Sequence, residues 1–385
     1  MKRTLSILGA TGSIGASTLD LVERHPDRFE VVALTASKRV AELAEAARRT
    51  GAQLAVIDDE ALLPELEQRL SGTNCRSATG REALIETATS ADLIMAAIVG
   101  CAGLEPVMAA VEAGKTVALA NKEALVTAGA LMIDAATRNG AIILPVDSEH
   151  NAIFQCLAGS SSKEIARLIL TASGGPFRSR SIAEMRAMTP EQAIAHPNWT
   201  MGAKISVDSA TMMNKGLELI EAHHLFGLPC DRIDILVHAQ SVIHSMVEYV
   251  DGSVLAQLGS PDMRMPIAYA LAWPERIDSG AAKLDFTQIA TLTFEAPDPE
   301  RFPALRLARA ALEAGGAAPT VLNAANEVAV AAFLDRCIGF GDIASLVEQT
   351  LERTDASAPR SIAEVIDIDQ RARHTARQSM TELVA

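Results

Sequence analysis

The sequence predicts an α/β protein in three parts. Three observations carry that prediction: Val-, Ile- and Leu-rich runs alternating with Ala-rich stretches up to residue 147, a hairpin signature near the middle, and helical spacing alone at the end.

The apolar runs of the first part are Leu5 to Leu8, Val31 to Leu34, Leu54 to Ile57, Leu93 to Ala97, Val117 to Ala120 and Ile142 to Val146. Strands spaced by helix-length segments favour a parallel sheet covered on both faces, so residues 1–147 are expected to be doubly wound. From 148 to 277 the character becomes α+β. A strand candidate (Leu168 to Thr171) leads into a Gly/Pro/Ser-interrupted loop over about 173–203, then a helix candidate from Lys204 to Phe226 and strands around Ile235 to His238 and Val242 to Tyr249. Asp251-Gly252 lies between Val242 to Val250 and Val254 to Leu258, which is hairpin turn chemistry. Residues 278–303 are turn-rich and read as a linker. Over 304–385, helical spacing in Ala304 to Ala314, Val321 to Leu334, Asp342 to Arg353 and Ser361 to Leu383 predicts a four-helix bundle.

With 385 residues, 49% of them apolar and 21% charged, the chain can bury more than one core. Its net charge of −14 argues against general nucleic-acid binding, which needs clustered cations. Small ligands are the expected partners. The five cysteines show neither a disulfide framework nor a C-x-x-C metal pair, so a reducing, cytoplasmic compartment is expected. Met-Lys-Arg and the apolar stretch after it are broken by Gly9, Gly12 and Gly15, leaving no signal-peptide core, and no window has the length of a membrane span.

Gly9-Ala-Thr11-Gly12-Ser13-Ile14-Gly15 follows the first strand and opens an Ala/Leu-rich helix, the context of a dinucleotide-binding turn. Glycines let backbone amides approach phosphate, and the helix start adds partial positive charge. The spacing is G-x-x-G-x-x-G, which a plain tight βα turn would also show. Past the second strand stand Ser37, Lys38 and Arg39 where an NAD enzyme would carry an acid, so NADPH is favoured and a Rossmann-like NADPH domain is expected. A solvated helix start would look similar.

Asp147-Ser148-Glu149 ends a strand, and period two would put both carboxylates on one side, as for Mg2+ or Mn2+. An exposed acidic strand end is the plainer reading. Asn214, Lys215 and Glu218 share one face if their segment is helical, which suits a phosphorylated, hydroxylated ligand as well as a surface ion pair. Ser173-Gly-Gly-Pro offers amides and a hydroxyl to phosphate or serves as a hinge. His196 lies beside Trp199 in the interrupted loop, which reads as a lid, whereas His244 reads as a structural strand histidine.

Several segments stand in order: Gly-Ala-Thr-Gly-Ser-Ile-Gly, Ala-Asn121-Lys122-Glu123, Pro-Val-Asp147-Ser-Glu149-His-Asn, Ser173-Gly-Gly-Pro-Phe, His196-Pro-Asn-Trp199, Ser-Val-Asp-Ser209-Ala-Thr-Met-Met-Asn214-Lys215-Gly-Leu-Glu218 and Leu322-Asn-Ala-Ala-Asn-Glu-Val. With them the chain resembles the 1-deoxy-D-xylulose 5-phosphate reductoisomerase family over nearly its whole length. The resemblance implies isomerisation and reduction of that sugar phosphate to 2-C-methyl-D-erythritol 4-phosphate in the non-mevalonate isoprenoid route, by a homodimer using NADPH and Mg2+ or Mn2+, with Co2+ as a further candidate. It implies Asp147, Glu149 and Glu218 as metal ligands, and Ser173, Ser209, Asn214 and Lys215 at the phosphate. Lys122, Ser148 and His196 match contacts to the rest of the substrate, and Trp199 matches the lid aromatic.

Thr11, Gly12, Ser13, Ile14, Asn121, Glu123 and Gly202 match nucleotide contacts. Ser37-Lys38-Arg39 departs from the Gly-Lys-Asn of many relatives. The implied chemistry is a skeletal rearrangement, enediol-like or retro-aldol, giving an aldehyde that NADPH reduces, with His196 orienting substrate, Lys122 beside it, and Glu149 or a metal-bound water moving protons. Two other classes compete: a semialdehyde-type dehydrogenase forming a thioester through Cys101 or Cys156, and an NADP-sensing binding protein without catalysis.

Overall fold

In the computed structural model, which describes residues 2–199 and 201–384, the first sheet is assembled from seven short strands. They are β1 (Arg3–Leu8), β2 (Phe29–Ala36), β3 (Leu54–Ile57), β4 (Arg76–Thr79), β5 (Leu93–Ala96), β6 (Thr116–Leu119) and β7 (Ile142–Pro145). All neighbours are parallel, in the order β4-β3-β2-β1-β5-β6-β7. The strand order reverses between β1 and β5, so the carboxyl ends of those two strands flank the crevice where an open α/β sheet takes its ligand. Met1, Thr200 and Ala385, including the outer limits of the expected first and last parts, lie outside the described residues.

Six of these strands coincide with the apolar runs. β4 does not, because its Arg-Ser-Ala-Thr sequence contains no apolar run and it sits at the sheet edge, where one side needs no burial.

The second sheet contains β8 (Ile165–Ala172), β9 (Ile233–Val237), β10 (Ile243–Tyr249) and β11 (Val254–Leu258), in the order β11-β10-β8-β9. β10 runs antiparallel to β8 and β11, and β9 pairs parallel to β8. The expected hairpin joins β10 to β11. Gly252 takes φ +84, and Asp251 Oδ1 accepts from Ser253 N at 2.9 Å and Ser253 Oγ at 2.6 Å, closing the turn.

Contacts gather the chain into two compact units that cut across the three expected parts. One holds residues 1–124, 132–151 and 262–282; the other holds 125–131, 152–261 and 283–385. Residues 262–282 join the first unit because the helix Arg264–Ala272 buries Pro266, Ile267, Ala270 and Leu271 there, against β6, β7 and the helix Ser13–Arg24. Arg3 Nη1 also donates to Leu271 O at 3.2 Å. In the second unit the helices Pro303–Ala314, Ala318–Leu334, Asp342–Arg353 and Ile362–Val384 pack on one another. They share one core with the second sheet, in which Leu168, Leu170 and Val247 meet Leu305, Leu322 and Leu346. Among the described residues no helix is long and apolar enough to cross a membrane.

Two local expectations change. The segment Lys204 to Phe226 is two helices, Ala203–Ala210 and Met213–Phe226, broken where Met212 takes φ +62. The loop over 173–203 contains two one-turn helices, Ile182–Arg186 and Pro190–Ile194. Glu184 Oε2 accepts from Ser181 N at 2.8 Å and Gln192 Oε1 from Thr189 N at 2.9 Å, so each starts on a side-chain reach-back too short to show a period. Phe177, in the same loop, is buried edge-on to Phe340 at 5.0 Å.

The turn after β1 depends on glycine. Gly9 has φ +84, and a Cβ there would lie 2.7 Å from Ala97 O; a Cβ at Gly15 would lie 2.4 Å from Gly9 O. At Gly12 the nearest atom would be 3.4 Å away, an ordinary contact. Gly15→Ala is therefore expected to lower the unfolding free energy by about 1–3 kcal/mol through overpacking. Gly12→Ala at the helix N-cap should cost less than about 1 kcal/mol. Urea unfolding midpoints separate the two, and equal losses would contradict this account.

Candidate functional site

The first unit places the expected nucleotide residues at the carboxyl ends of its strands. Gly9 N donates to Thr35 Oγ1 at 2.8 Å and Gly12 N to Gly9 O at 3.0 Å, so the turn is pinned to β2 before the helix Ser13–Arg24 begins. Gly12 is the N-cap, and no side chain caps this helix. Its first amides and the positive end of its dipole therefore remain available to an anion beside Thr11, Ser13 and Ile14. Ser37, Lys38 and Arg39 directly follow β2 and are exposed. Ser37 Oγ donates to Asp58 Oδ2 at 3.3 Å, while Arg39 is the N-cap of the helix Val40–Thr50.

Asn121, which the family resemblance places at the nucleotide, also has a structural use. It is 2% exposed, its Nδ2 donates to Ile98 O and Gly100 O, and its Oδ1 accepts from Ala124 N at 2.9 Å. The amide thereby caps the helix Lys122–Asn139 and ties down the loop after β5. Gly103 belongs to this arrangement, since a Cβ there would lie 2.3 Å from Asn121 Nδ2. Neighbouring Lys122 and Glu123 are buried in the first turn of that helix.

The acidic motif is not a strand end. β7 stops at Pro145, and Ser148 begins the helix Ser148–Cys156, so the period-two argument for Asp147 and Glu149 fails. Asp147 instead precedes the helix and its carbonyl accepts from Asn151 N at 2.8 Å, while Glu149 lies in the first turn. Lys122 Nζ lies 2.5 Å from Asp147 Oδ2, with side chains 8% and 15% exposed. Ser148 Oγ donates to Glu149 Oε2 at 2.5 Å. Fully buried His150, one turn after Asp147, was not singled out from the sequence; the Asp-x-x-His spacing was the available signal.

In the second unit Asn214, Lys215 and Glu218 do share a helical face, on Met213–Phe226. Asn214 Nδ2 and Lys215 Nζ both donate to Glu218, whose side chain is 1% exposed. Ser173 and His196 come together as well. His196 Nδ1 accepts from Asn198 N at 3.2 Å and Trp199 N at 3.0 Å, so that nitrogen carries no proton. The neutral ring then holds its proton on Nε2 and donates it to Ser173 Oγ at 2.9 Å. Ser173 Oγ also accepts from Gly175 N at 3.1 Å, which leaves its own proton to be donated outward. Gly175, at φ +65, sits so close to Ser209 that a Cβ would be 2.5 Å from Ser209 O, bringing the Ser173 loop onto the backbone of Ser209.

Trp199 faces His244 at a ring separation of 6.1 Å, and Asn198 Nδ2 donates to Ala239 O at 2.7 Å. His244 is buried in β10. Gly202 is exposed in this unit as the N-cap of Ala203–Ala210.

Three family models match the chain: 1-deoxy-D-xylulose 5-phosphate reductoisomerase over residues 5–129, its C-terminal domain over 143–226, and the DXP reductoisomerase C-terminal domain over 258–375. A 1-deoxy-D-xylulose 5-phosphate reductoisomerase of Zymomonas mobilis is 59% identical over 384 residues, covering 100% of this chain and 99% of the relative. That of Rhodospirillum centenum is 58% identical, covering 100% and 94%. The solved structure of the Zymomonas mobilis enzyme in complex with NADPH superposes with a TM-score of 0.94 at 58% identity, over 99% of each chain. A reductoisomerase solved with NADPH, fosmidomycin and magnesium gives 0.93 at 45% identity, again over 99% of each.

Burial lowers the pKa of His196 below the usual histidine range. The folded protein therefore prefers the neutral ring, and the unfolded chain takes up the proton first, near pH 6.5. Its contribution to order in the 173–203 segment is complete above that pH and is lost as pH falls through the lowered value. Limited proteolysis within 173–203 should accelerate from pH 7.5 to pH 5 in the wild type more than in His196→Asn; identical acceleration would refute the tautomer assignment.

Proposed function

The chain belongs to the 1-deoxy-D-xylulose 5-phosphate reductoisomerase family, and from that premise we infer the work of its individual residues. It is an NADPH- and divalent-metal-dependent oxidoreductase that converts 1-deoxy-D-xylulose 5-phosphate to 2-C-methyl-D-erythritol 4-phosphate in isoprenoid precursor biosynthesis. The observation that carries the residue assignment is the face shared by partly buried Asn214 with buried Lys215 and Glu218, which sets amide, cation and acid together where water is scarce.

We assign the metal to Asp147, Glu149 and Glu218. Their hard oxygens suit Mg2+, and the low exposure of Asp147 and Glu218 suits a site that holds its ion away from bulk water. Nucleotide binding falls to Thr11, Gly12, Ser13, Ile14, Ser37, Lys38, Arg39, Glu123 and Gly202, supported by the uncapped helix start and by the tight turn that Gly9 and Gly15 permit before it. Asn121 joins this set, as the family resemblance implies, and its amide also fastens the loop after β5. In functional terms residues 1–147 bind nucleotide and 148–277 carry catalysis, with 304–385 sharing the core of the second sheet.

When bound, the metal polarises substrate oxygens and NADPH supplies hydride. Ser173, Ser209, Asn214 and Lys215 anchor the phosphate: Lys215 by charge, Ser173 through the O–H proton that His196 and Gly175 leave unused. Lys122 and Ser148 hold substrate oxygens beside Asp147 and Glu149, and Glu149 accepts or returns a proton. The segment 173–203 acts as a lid, with Trp199 excluding water and His196 orienting the substrate. A thioester route through Cys156 is disfavoured because burial pushes its thiol up to about 11, far from the thiolate a nucleophile needs. Family membership supports a homodimer, and five free cysteines support a cytoplasmic setting.

Metal-dependent NADPH oxidation with 1-deoxy-D-xylulose 5-phosphate tests the assignment. Glu218→Gln should lower kcat/KM by at least about a hundredfold, since even groups behind metal ligands contribute that much. Alanine at both Cys101 and Cys156 should leave turnover intact, and loss there would reverse the conclusion. Lys38→Ala and Arg39→Ala should each raise KM for NADPH by about tenfold while sparing NADH, as loss of one charge-assisted hydrogen bond predicts.

A further inference from the structure

The motif from Leu322 to Val328 carries part of the family resemblance, yet none of its residues is in the ligand-binding set assigned above. The structure gives Asn326 a partner. It is fully buried on the helix Ala318–Leu334, and its Nδ2 donates to Asp208 Oδ1 at 2.8 Å. Asp208 is 1% exposed, and its other oxygen lies 2.9 Å from Lys204 Nζ. A carboxylate this buried is retained only because both oxygens are met.

Asp208 directly precedes Ser209 on the helix Ala203–Ala210. Thr211 Oγ1 donates to Asp208 O at 3.2 Å and accepts from Met213 N at 3.3 Å, which links that helix through the Met212 turn to the helix bearing Asn214 and Lys215. The Ser209 carbonyl is also the surface on which Gly175 rests, and Gly175 N in turn holds Ser173 Oγ. One buried carboxylate therefore stands behind all four groups assigned to the phosphate.

We propose that Asn326 and Asp208 are positioning residues for phosphate binding: their hydrogen bond fixes the placement of Ala203–Ala210, so that Ser173, Ser209, Asn214 and Lys215 converge on one anion. The proposal rests on the phosphate assignment above. A purely structural pair would be better served by apolar side chains of the same volume, because Asn326 Oδ1 is itself buried without a hydrogen-bond partner among the described residues. The device keeps that penalty and gains a fixed direction.

The test is steady-state kinetics and inorganic phosphate binding by calorimetry on full-length wild type, Asn326→Ala, Asn326→Asp, Asp208→Asn and the Asp208→Asn/Asn326→Asp double variant, each with its unfolding midpoint. Asn326→Ala should raise KM for 1-deoxy-D-xylulose 5-phosphate about tenfold, change kcat less than about threefold, and leave KM for NADPH unchanged, as displacement of a binding group predicts. Asn326→Asp sets two carboxylates face to face and should bind phosphate more weakly still. The double variant restores an amide facing a carboxylate with the roles exchanged, and should recover most of the phosphate affinity. Asp208→Asn keeps the side-chain shape and carries the test should Asn326→Ala not fold. A double variant no better than Asn326→Asp, or losses that merely follow the unfolding midpoint, overturn the proposal. A wild type that binds inorganic phosphate but does not turn over the sugar phosphate defeats the functional reading instead, and the phosphate affinities still decide this one.

Discussion

Burying a charge is costly, and this molecule does it repeatedly. Lys215 and Glu218 are almost wholly out of solvent, and Lys122 with Asp147 nearly so. Taking ammonium and carboxylate groups out of water is offset only when each finds an opposite charge or well-aimed hydrogen bonds, and removing one member of such a pair costs about 3–5 kcal/mol. Apolar side chains of equal volume would often be as stable or more so, which makes these pairs poor candidates for a stabilising role and good ones for a chemical role. The surrounding structure follows from the need to keep them dry and aligned.

Alignment comes from close helix packing. A Cβ at Gly216 would lie 2.7 Å from Ala308 Cβ, so the helix bearing Lys215 and Glu218 runs almost in backbone contact with Pro303–Ala314. Gly129 similarly leaves room for the ring of His224, whose burial depresses its pKa to about 4 and keeps it neutral at physiological pH. The C-terminal helices thus belong to the same core as the second sheet and act as its backing. Small residues at such contacts leave little room for rotation, and a helix that cannot rotate presents the same face to a ligand each time.

Features that rest on local chemistry were legible in the sequence: the parallel strands from their apolar runs, the hairpin from Asp251-Gly252, the turn after β1 from its glycines, and the shared face of Asn214, Lys215 and Glu218 from helical spacing. Features decided by tertiary contact were not. β4 is a polar edge strand, the break at Met212 has no Gly or Pro to announce it, and Glu149 entered a helix where a continuing strand was read. The helix Arg264–Ala272 has an apolar face that nothing local directs to one unit rather than the other. The helix-capping role of Asn121 is not legible either, because a side chain that caps a helix and one that meets a ligand leave the same letter.

A division of labour accounts for which polar residues do which task. Segments around the site are held by neutral amides: Asn121 fastens the loop after β5, and Asn198 fastens the chain after His196 to Ala239 and Ser241. An amide can donate and accept at once and does not titrate, so these attachments keep their strength over the whole pH range in which the fold exists. The ionisable groups proposed to meet ligands are instead paired within each unit, Lys122 with Asp147 and Lys215 with Glu218. His196 crosses the boundary, since one nitrogen organises the backbone while the other reaches Ser173. That dual use makes it the one attachment in this group whose strength depends on protonation, and it couples the order of the 173–203 segment to the state of the residue expected to meet the phosphate.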